Sequence, residues 1–340
     1  MQQILYKYFF ISDKIFDNAA VKMERSIFLY LGNVKIIKKI YLYGMIACSN
    51  SFRLKEFPKP DEYSEIEESF RFPGGETGTC ASVLSSIGAD VVLDGNHIGK
   101  NAAQLVKDYY RDKSVDTWLL HFDESGNSPE DYVIISGDTR TPIGFFGHYF
   151  SAAFNSDEKP WNKPSEKSIA ECDAAAIDPF FWEDSELAAK ICVKYKKPYV
   201  TIDCKFDSFI HKNSSVSVIS GESIENTYPG RSREELFPLF CENGNGLSII
   251  TNGGNDLFYG RKGEKIKRFS PFKVDVKSTL GAGDSFKAGC VYALAEGMND
   301  NELVRFASAC AAAAISRYPL QLDLPVLSEV NEICKNVINS

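Results

Sequence analysis

From Lys39 to Val337, short apolar runs alternate with amphipathic stretches. The runs Lys39–Gly44, Val91–Leu93, Tyr132–Ser136, Ala174–Asp178, Tyr199–Cys204, Val216–Ser220 and Leu247–Asn252 read as strands. Between them, 77–87, 99–110, 185–195, 231–240, 281–295, 300–317 and 326–337 are patterned as helices. In one of these, Leu187, Ala188, Ile191, Cys192 and Tyr195 fall on a single helical face. Runs such as Tyr199-Val200-Thr201-Ile202 are continuous rather than alternating, as expected of strands buried on both sides of a parallel sheet. The order predicts an α/β fold, a doubly wound and mostly parallel sheet flanked by helices.

Residues 51–73 and 118–150 break this rhythm. Their aromatics (Phe52, Phe57, Phe70, Phe72, Trp118, Phe122, Tyr132, Phe145, Phe146, Tyr149 and Phe150) are mixed with charges, glycines and prolines. Loops that long and aromatic are uncommon, so a small β lid is expected, with strands from about 51–73 and 118–140. The main domain is expected over 38–340. Residues 1–37 have no place in the pattern and read as an N-terminal extension.

Composition narrows the function. The 340 residues are 44% hydrophobic and 25% charged, with a net charge of −8. That balance argues against a nucleic-acid partner or a membrane-surface role. Charge is uneven, since residues 1–39 carry seven Lys/Arg and three acids. No apolar stretch approaches the ~18 residues of a membrane span, and a cytoplasmic location is expected. The nine cysteines form no CxxC pair and the four histidines no HxxxH pair, which excludes a familiar disulfide or zinc framework.

The sharpest motif is Ser278-Thr279-Leu280-Gly281-Ala282-Gly283-Asp284-Ser285-Phe286-Lys287-Ala288-Gly289, at the start of a helix-compatible segment. Glycines at a loop-to-helix junction let a ligand approach free amides, and the helix dipole favours an anion there. A carboxylate at Asp284 cannot bind phosphate but can accept a proton from an attacking hydroxyl. Phosphoryl transfer and a plain acid-capped glycine turn both fit these residues.

In a wider window the chain resembles the ribokinase-like (PfkB) carbohydrate kinase family, from about Lys39 to Val337. The family signature Asp-Thr-x-Gly-Ala-Gly-Asp-x-Phe-x-Ala-Gly is matched everywhere but its first position, where Ser278 stands. Gly74-Gly75 with Thr79 and Ala81 resembles the sugar site, and Gly88, Asp94-Gly95 and Gly99 resemble later pieces. Thr251-Asn252-Gly253-Gly254 resembles the nucleotide turn, and Phe306–Ala314 the Ala-rich helix packed beside adenine.

The resemblance implies an ATP-dependent kinase using Mg²⁺, with a small polyhydroxy acceptor. Asp284 would be the general base, and the amides of Gly281, Ala282 and Gly283 the anion hole. Thr251, Gly253, Gly254, Ser308 and Ala312 would line ATP. Gly74, Gly75 and Thr79 would face the acceptor. Ser49, with Asn50 beside it, falls where the family carries a sugar-binding Asp. Thr79 replaces the family's Asn. These shorter or neutral groups imply an acceptor other than simple ribose or fructose. Ser278 replaces an Asp that helps some members bind a monovalent cation, so no strong potassium activation is expected. The family's Asn-x-x-Glu turn, whose Glu organises Mg²⁺ through water, is not matched at Ser220-Gly221-Glu222-Ser223. Glu222 is either its substitute or an ordinary helix-start carboxylate. Arg140 is either a contact to an acidic or phosphorylated acceptor or an exposed turn residue.

Alternatives to a sugar kinase are a nucleoside kinase of the same fold, favoured by an aromatic lid, and a non-catalytic sugar-binding regulator. An oxidoreductase lacks the GxGxxG it would need after the first strand. Apolar lid faces need cover, so a homodimer through the lid is expected.

Overall fold

The run Ile40–Tyr43 contains no charged position because both faces of its strand are covered. Ile40 and Leu42 enter one core with Val91, Leu93 and Phe286, while Tyr41 and Tyr43 enter another with Trp161, Phe181 and Ile191. This is seen in a computed structural model that describes residues 37–335 except Asp138 and Asn155. But for Ile37, the expected extension at 1–37 lies outside the described residues.

Among the described residues the main sheet has nine strands in the spatial order 267–269, 257–260, 247–250, 216–219, 199–202, 174–177, 39–44, 90–95 and 115–116. All neighbours are parallel up to Leu247–Ile250, after which Leu257–Gly260 and Lys267–Phe269 add antiparallel edge strands. Sequence patterning misses that edge because Leu257–Gly260 offers only three apolar residues between turn residues and Lys267–Phe269 opens on two charges. One face carries the helices Gly75–Ser86, Ala282–Ala295 and Asp300–Ile315, and the other carries Trp182–Lys194. Helices 282–295 and 300–315 approach so closely that a Cβ on Gly289 would lie 2.6 Å from Ala307 Cα. All nine cysteines are free and eight are buried, which makes them small core residues. Among the described residues no helix is long and apolar enough to cross a membrane.

A second sheet has four strands, ordered Ile66–Gly74, Ala47–Leu54, Glu130–Ser136 and Thr139–Gly144. Residues 118–129 contribute no strand to it, and Phe122–Asp123 pairs instead with Ile98–Gly99. The aromatics after 145 are also not lid strands, since Phe146–Phe154 is a helix. Phe146, Tyr149 and Phe150 have i, i+3, i+4 spacing, and Phe150 packs 6.4 Å from the Trp161 ring and 6.2 Å from Trp182. Period, not aromatic content, decides the element.

Only Met45 and Ile46 separate the core strand 39–44 from the small-sheet strand 47–54. Asn96 clamps this junction: the Ile46 amide donates to Asn96 Oδ1 at 2.7 Å, and Asn96 Nδ2 donates to the Ile46 carbonyl at 3.1 Å. Gly75 closes it from the other side with φ +73°, where a Cβ would lie 2.7 Å from the Met45 carbonyl oxygen and 2.9 Å from the Ala47 nitrogen. Both neighbours are backbone and cannot rotate away. Gly75→Ala is therefore expected to destabilise by at least ~2 kcal/mol, combining left-handed strain with overpacking. Urea denaturation measures it, and a loss below ~0.5 kcal/mol contradicts the packing account.

Candidate active site

Strands 39–44, 90–95 and 174–177 end together at the carboxyl edge of the parallel sheet, where ligands of open α/β folds bind. Asp178 stands there, immediately after its strand, and its amide donates to the Tyr43 carbonyl at 2.9 Å. Thr77 Oγ1 donates to Asp178 Oδ2 at 2.6 Å. Lys287 Nζ donates to both carboxylate oxygens, at 2.9 and 3.0 Å, and both charged side chains are 1% exposed. One carboxylate thus joins a sheet strand to the helices 75–86 and 282–295.

Lys287 is one turn along from Asp284 in the helix that opens at Ala282. Gly281 precedes that helix in the left-handed region at φ +80°, and a Cβ there would sit 2.8 Å from Leu320 Cδ2. Among the described residues nothing beyond its chain neighbours and its own helix turn lies within 4 Å of the Cβ position of Gly283, so the helix start is open on that side. The Ala282 amide donates back to the Thr279 carbonyl at 3.3 Å. That leaves the first-turn amides of Gly283 and Asp284 without a partner inside the helix, which shifts the candidate anion hole one residue along the chain.

Asp284 is partly buried, and burial pushes its carboxyl up to about 7. Lys287 and Arg140 oppose the rise, while Asp178 and Asp131 add to it. A carboxylate held there is a base matched to neutral pH. Glu76, beside Thr77 at the start of helix 75–86, is pushed up by burial and then by the charges of Asp284 and Asp178. Its Oε2 is enclosed and has no hydrogen-bond partner.

The small sheet brings further groups to this centre. Ser49 is 4% exposed and pairs in register with Asp131. Burial pushes Asp131 up to about 6, with the Ser49 hydroxyl pulling it down and Glu130 adding to the rise. Asp131 Oδ1 is enclosed without a partner. Arg140 pairs with Ile135, four residues beyond Asp131, so strand alternation puts it on the same face. It lies 4.0 Å from Glu222, and its charge reaches Asp284. The two uncertain candidates, Arg140 and Glu222, are therefore neighbours.

Other expected residues are placed differently. Asn50 does not share the pocket with Ser49. Alternation turns it to the opposite face, where its Nδ2 donates to Glu130 Oε1 at 3.0 Å. Thr79 lies against Gly281, and its Oγ1 accepts from Gln321 Nε2 at 3.3 Å, so it braces two elements. Gly74 is small because a Cβ would collide with Ser49 Oγ, and Gly75 because of the junction described above. Ser308 and Ala312 are 5% and 3% exposed within helix 300–315, and the Ser308 hydroxyl is enclosed without a partner. Ser278 is buried, and its Oγ accepts from the Leu280 amide at 3.2 Å.

Thr251 follows strand 247–250, and its amide donates to the Ile219 carbonyl at 2.9 Å. The Cβ positions of Gly253 and Gly254 meet nothing within 4 Å. Beside this open turn, the helix Gly221–Thr227 begins at Ser220, whose amide donates to Asp203 Oδ1 at 2.7 Å. Glu222-Ser223-Ile224-Glu225 has the Asn-x-x-Glu spacing with Glu in the Asn place, a match overlooked when Ser220 is taken as the start. Four groups near the centre were missed: Asp178, Lys287, Glu76 and Asp131. Lys287 and Glu76 lie inside quoted motifs, whereas Asp131 is reached only through strand register.

A carboxylate in the first turn of a helix, the glycine turns at 253–254 and 281–283 and polar groups on a covering sheet thus meet at the strand ends of a ribokinase-like fold. Solved structures support that fold: ribokinase of Arabidopsis thaliana, complexed with ribose and ATP, matches with a TM-score of 0.72 and 16% identity, over 89% of this chain and 100% of that one. A Burkholderia thailandensis nucleoside kinase in complex with inosine matches with a TM-score of 0.69 and 14% identity, over 88% and 98%. Residues 227–327 match the family model described as pfkB family carbohydrate kinase. The 5-dehydro-2-deoxygluconokinase of Clostridium botulinum is 22% identical over 80% of this chain and 86% of its own. The chain is thus similar to the ribokinase-like (PfkB) carbohydrate kinases, in fold over most of its length and in sequence over residues 227–327.

The buried pair permits a direct test. Lys287→Met leaves Asp178 charged and enclosed, and should cost ~3–5 kcal/mol. Adding Asp178→Leu removes the stranded charge and should recover much of the loss. Urea denaturation of both variants decides it; a double variant no more stable than the single one contradicts the account.

Proposed function

We propose that the chain transfers the γ-phosphoryl group of ATP to a primary hydroxyl of a small carbohydrate. The carrying observation is Asp284, a partly buried carboxyl with a raised pKa in the first turn of a helix entered through an open glycine turn. In this reading the acceptor hydroxyl gives its proton to Asp284 as its oxygen bonds to the γ-phosphorus. The bond to the bridging oxygen breaks, and ADP leaves. The Gly283 and Asp284 amides, with Gly281 and Ala282 shaping the turn, stabilise charge on the transferring group. Arg140 adds a positive charge from the covering sheet.

Thr251, Gly253 and Gly254 suit ATP because, chain neighbours aside, nothing lies within 4 Å of the Cβ positions of the two glycines. Among the described residues no cluster of three His, Cys, Asp or Glu could hold a metal. This fits a Mg²⁺ carried chiefly by the phosphates, with Glu222 or Glu225 reached through water. Bound there, the ion neutralises phosphate charge. A carbohydrate is favoured over a nucleoside because the rings of Phe52 and Tyr132 stack on the sheet face opposite Ser49, with Phe145 against Tyr132.

Asp284→Asn keeps the shape and removes the base. Turnover, read as ADP release with a panel of sugars, should fall by ~10²–10⁴ while ATP binding persists. Because burial raises this carboxyl, it becomes a base only as pH climbs through about 7. The acid limb of kcat/KM is therefore expected near neutrality, not near the ~3.9 of a free Asp. Retention of more than about a tenth of turnover, or a limb complete below about pH 5, refutes the assignment.

We also infer a homodimer through the small sheet. Ile143 is 53% and Phe145 55% exposed beside Phe52 and Tyr132, and Thr139–Gly144 is an open edge. Light scattering at micromolar concentration should give twice the chain mass, and Ile143→Glu should lower it. A monomeric parent chain overturns this.

A further inference from the structure

Around Asp284 the acids outnumber the cations, and the buried cation is already engaged. Lys287 gives two bonds to Asp178, which Thr77 also holds. Arg140 is 40% exposed and faces Glu222, toward the open nucleotide turn. Glu76 and Asp131 remain. They reach the centre from independent elements, one from the start of helix 75–86 and the other from the small-sheet strand 130–136.

Each keeps one carboxylate oxygen enclosed and without a partner: Glu76 Oε2 and Asp131 Oδ1. Both lie within electrostatic reach of Asp284, and Ser49, in register with Asp131, packs against Gly74 two residues before Glu76. Ser49, on the same sheet face as Asp131, is the short hydroxyl at the position where the resemblance implied a carboxylate. The carboxylate has in effect moved one strand over, and Glu76 adds a second.

Enclosed oxygens without partners call for donors from a ligand. Neutral hydroxyls can donate, but they leave two acids and the catalytic base facing one another. A carboxylate on the ligand would add to that repulsion. An ammonium group brings three donors and a positive charge at once. We propose that the acceptor is a polyhydroxy compound bearing a protonated amine, held by Glu76 and Asp131 beside Asp284. The proposal deepens the kinase reading and rests on it for the role of the site.

The test separates charge from shape. 1-Amino-1-deoxy-D-sorbitol, D-sorbitol and D-gluconate share one polyol chain and differ at the first carbon, which bears an ammonium, a hydroxyl or a carboxylate. Calorimetry on the full chain with ADP bound, near neutral pH and at fixed ionic strength, should rank the amine at least about tenfold tighter than sorbitol, with gluconate weakest. In Glu76→Gln and in Asp131→Asn the preference for the amine should shrink. Should either variant fold poorly, the ranking in the parent chain still decides. Equal responses to all three, including none, or tightest binding of gluconate overturns the proposal. The ranking is read without turnover. A chain that releases ADP on neutral or acidic sugars while showing no amine preference keeps the kinase reading and loses this inference.

Discussion

Asp178 and Lys287 form the contact on which the site's geometry depends. The pair is almost fully enclosed, and replacing such pairs with apolar groups is often neutral or stabilising, so bulk stability is a poor reason for it. Its value is positional. Through Thr77, Asp178 fixes the helix carrying Glu76, and through Lys287 it fixes the helix carrying Asp284. Glu76 and Asp284 are thereby registered on the end of one strand. Lys287 also tempers the rise that burial imposes on Asp284, so the pair acts on both the place and the proton affinity of the base.

What was legible in the sequence followed from local period. Strand 39–44 is found at its expected bounds because a strand buried on both faces leaves an unbroken apolar run. Helix 282–295 is legible for the opposite reason, since glycines and an acid mark its start before a long apolar stretch. Elements with little length or mixed pattern were not legible. The edge strand 267–269 opens on Lys-Arg, 257–260 is three apolar residues among turn residues, and the helix 146–154 was hidden by its aromatics.

The site was legible only along the chain, not across it. Asp284 and its glycines form one contiguous motif. Asn50 was misplaced because adjacency in sequence means opposite faces in a strand. Asp131 went unseen because only the parallel pairing of 47–54 with 130–136, some eighty positions apart, sets it beside Ser49. At Ser49 a residue read by itself shows only a short hydroxyl, and the carboxylate paired with it comes from another strand.

The two-residue link at Met45 and Ile46 has a mechanical consequence. With Asn96 and Gly75 gripping it, the small sheet is anchored to the main sheet at its inner end. Farther out it is held again, where Ser51 Oγ meets the Tyr318 hydroxyl at 2.8 Å and Arg53 donates to the Lys277 carbonyl at 3.4 Å. Ser49 and Asp131 sit near the inner anchor, while Arg140 pairs about four residues farther out, roughly 13 Å at ~3.3 Å per residue. Clamped at both levels, the sheet works as a spacer that keeps the Asp131 carboxylate and the Arg140 guanidinium a fixed distance apart.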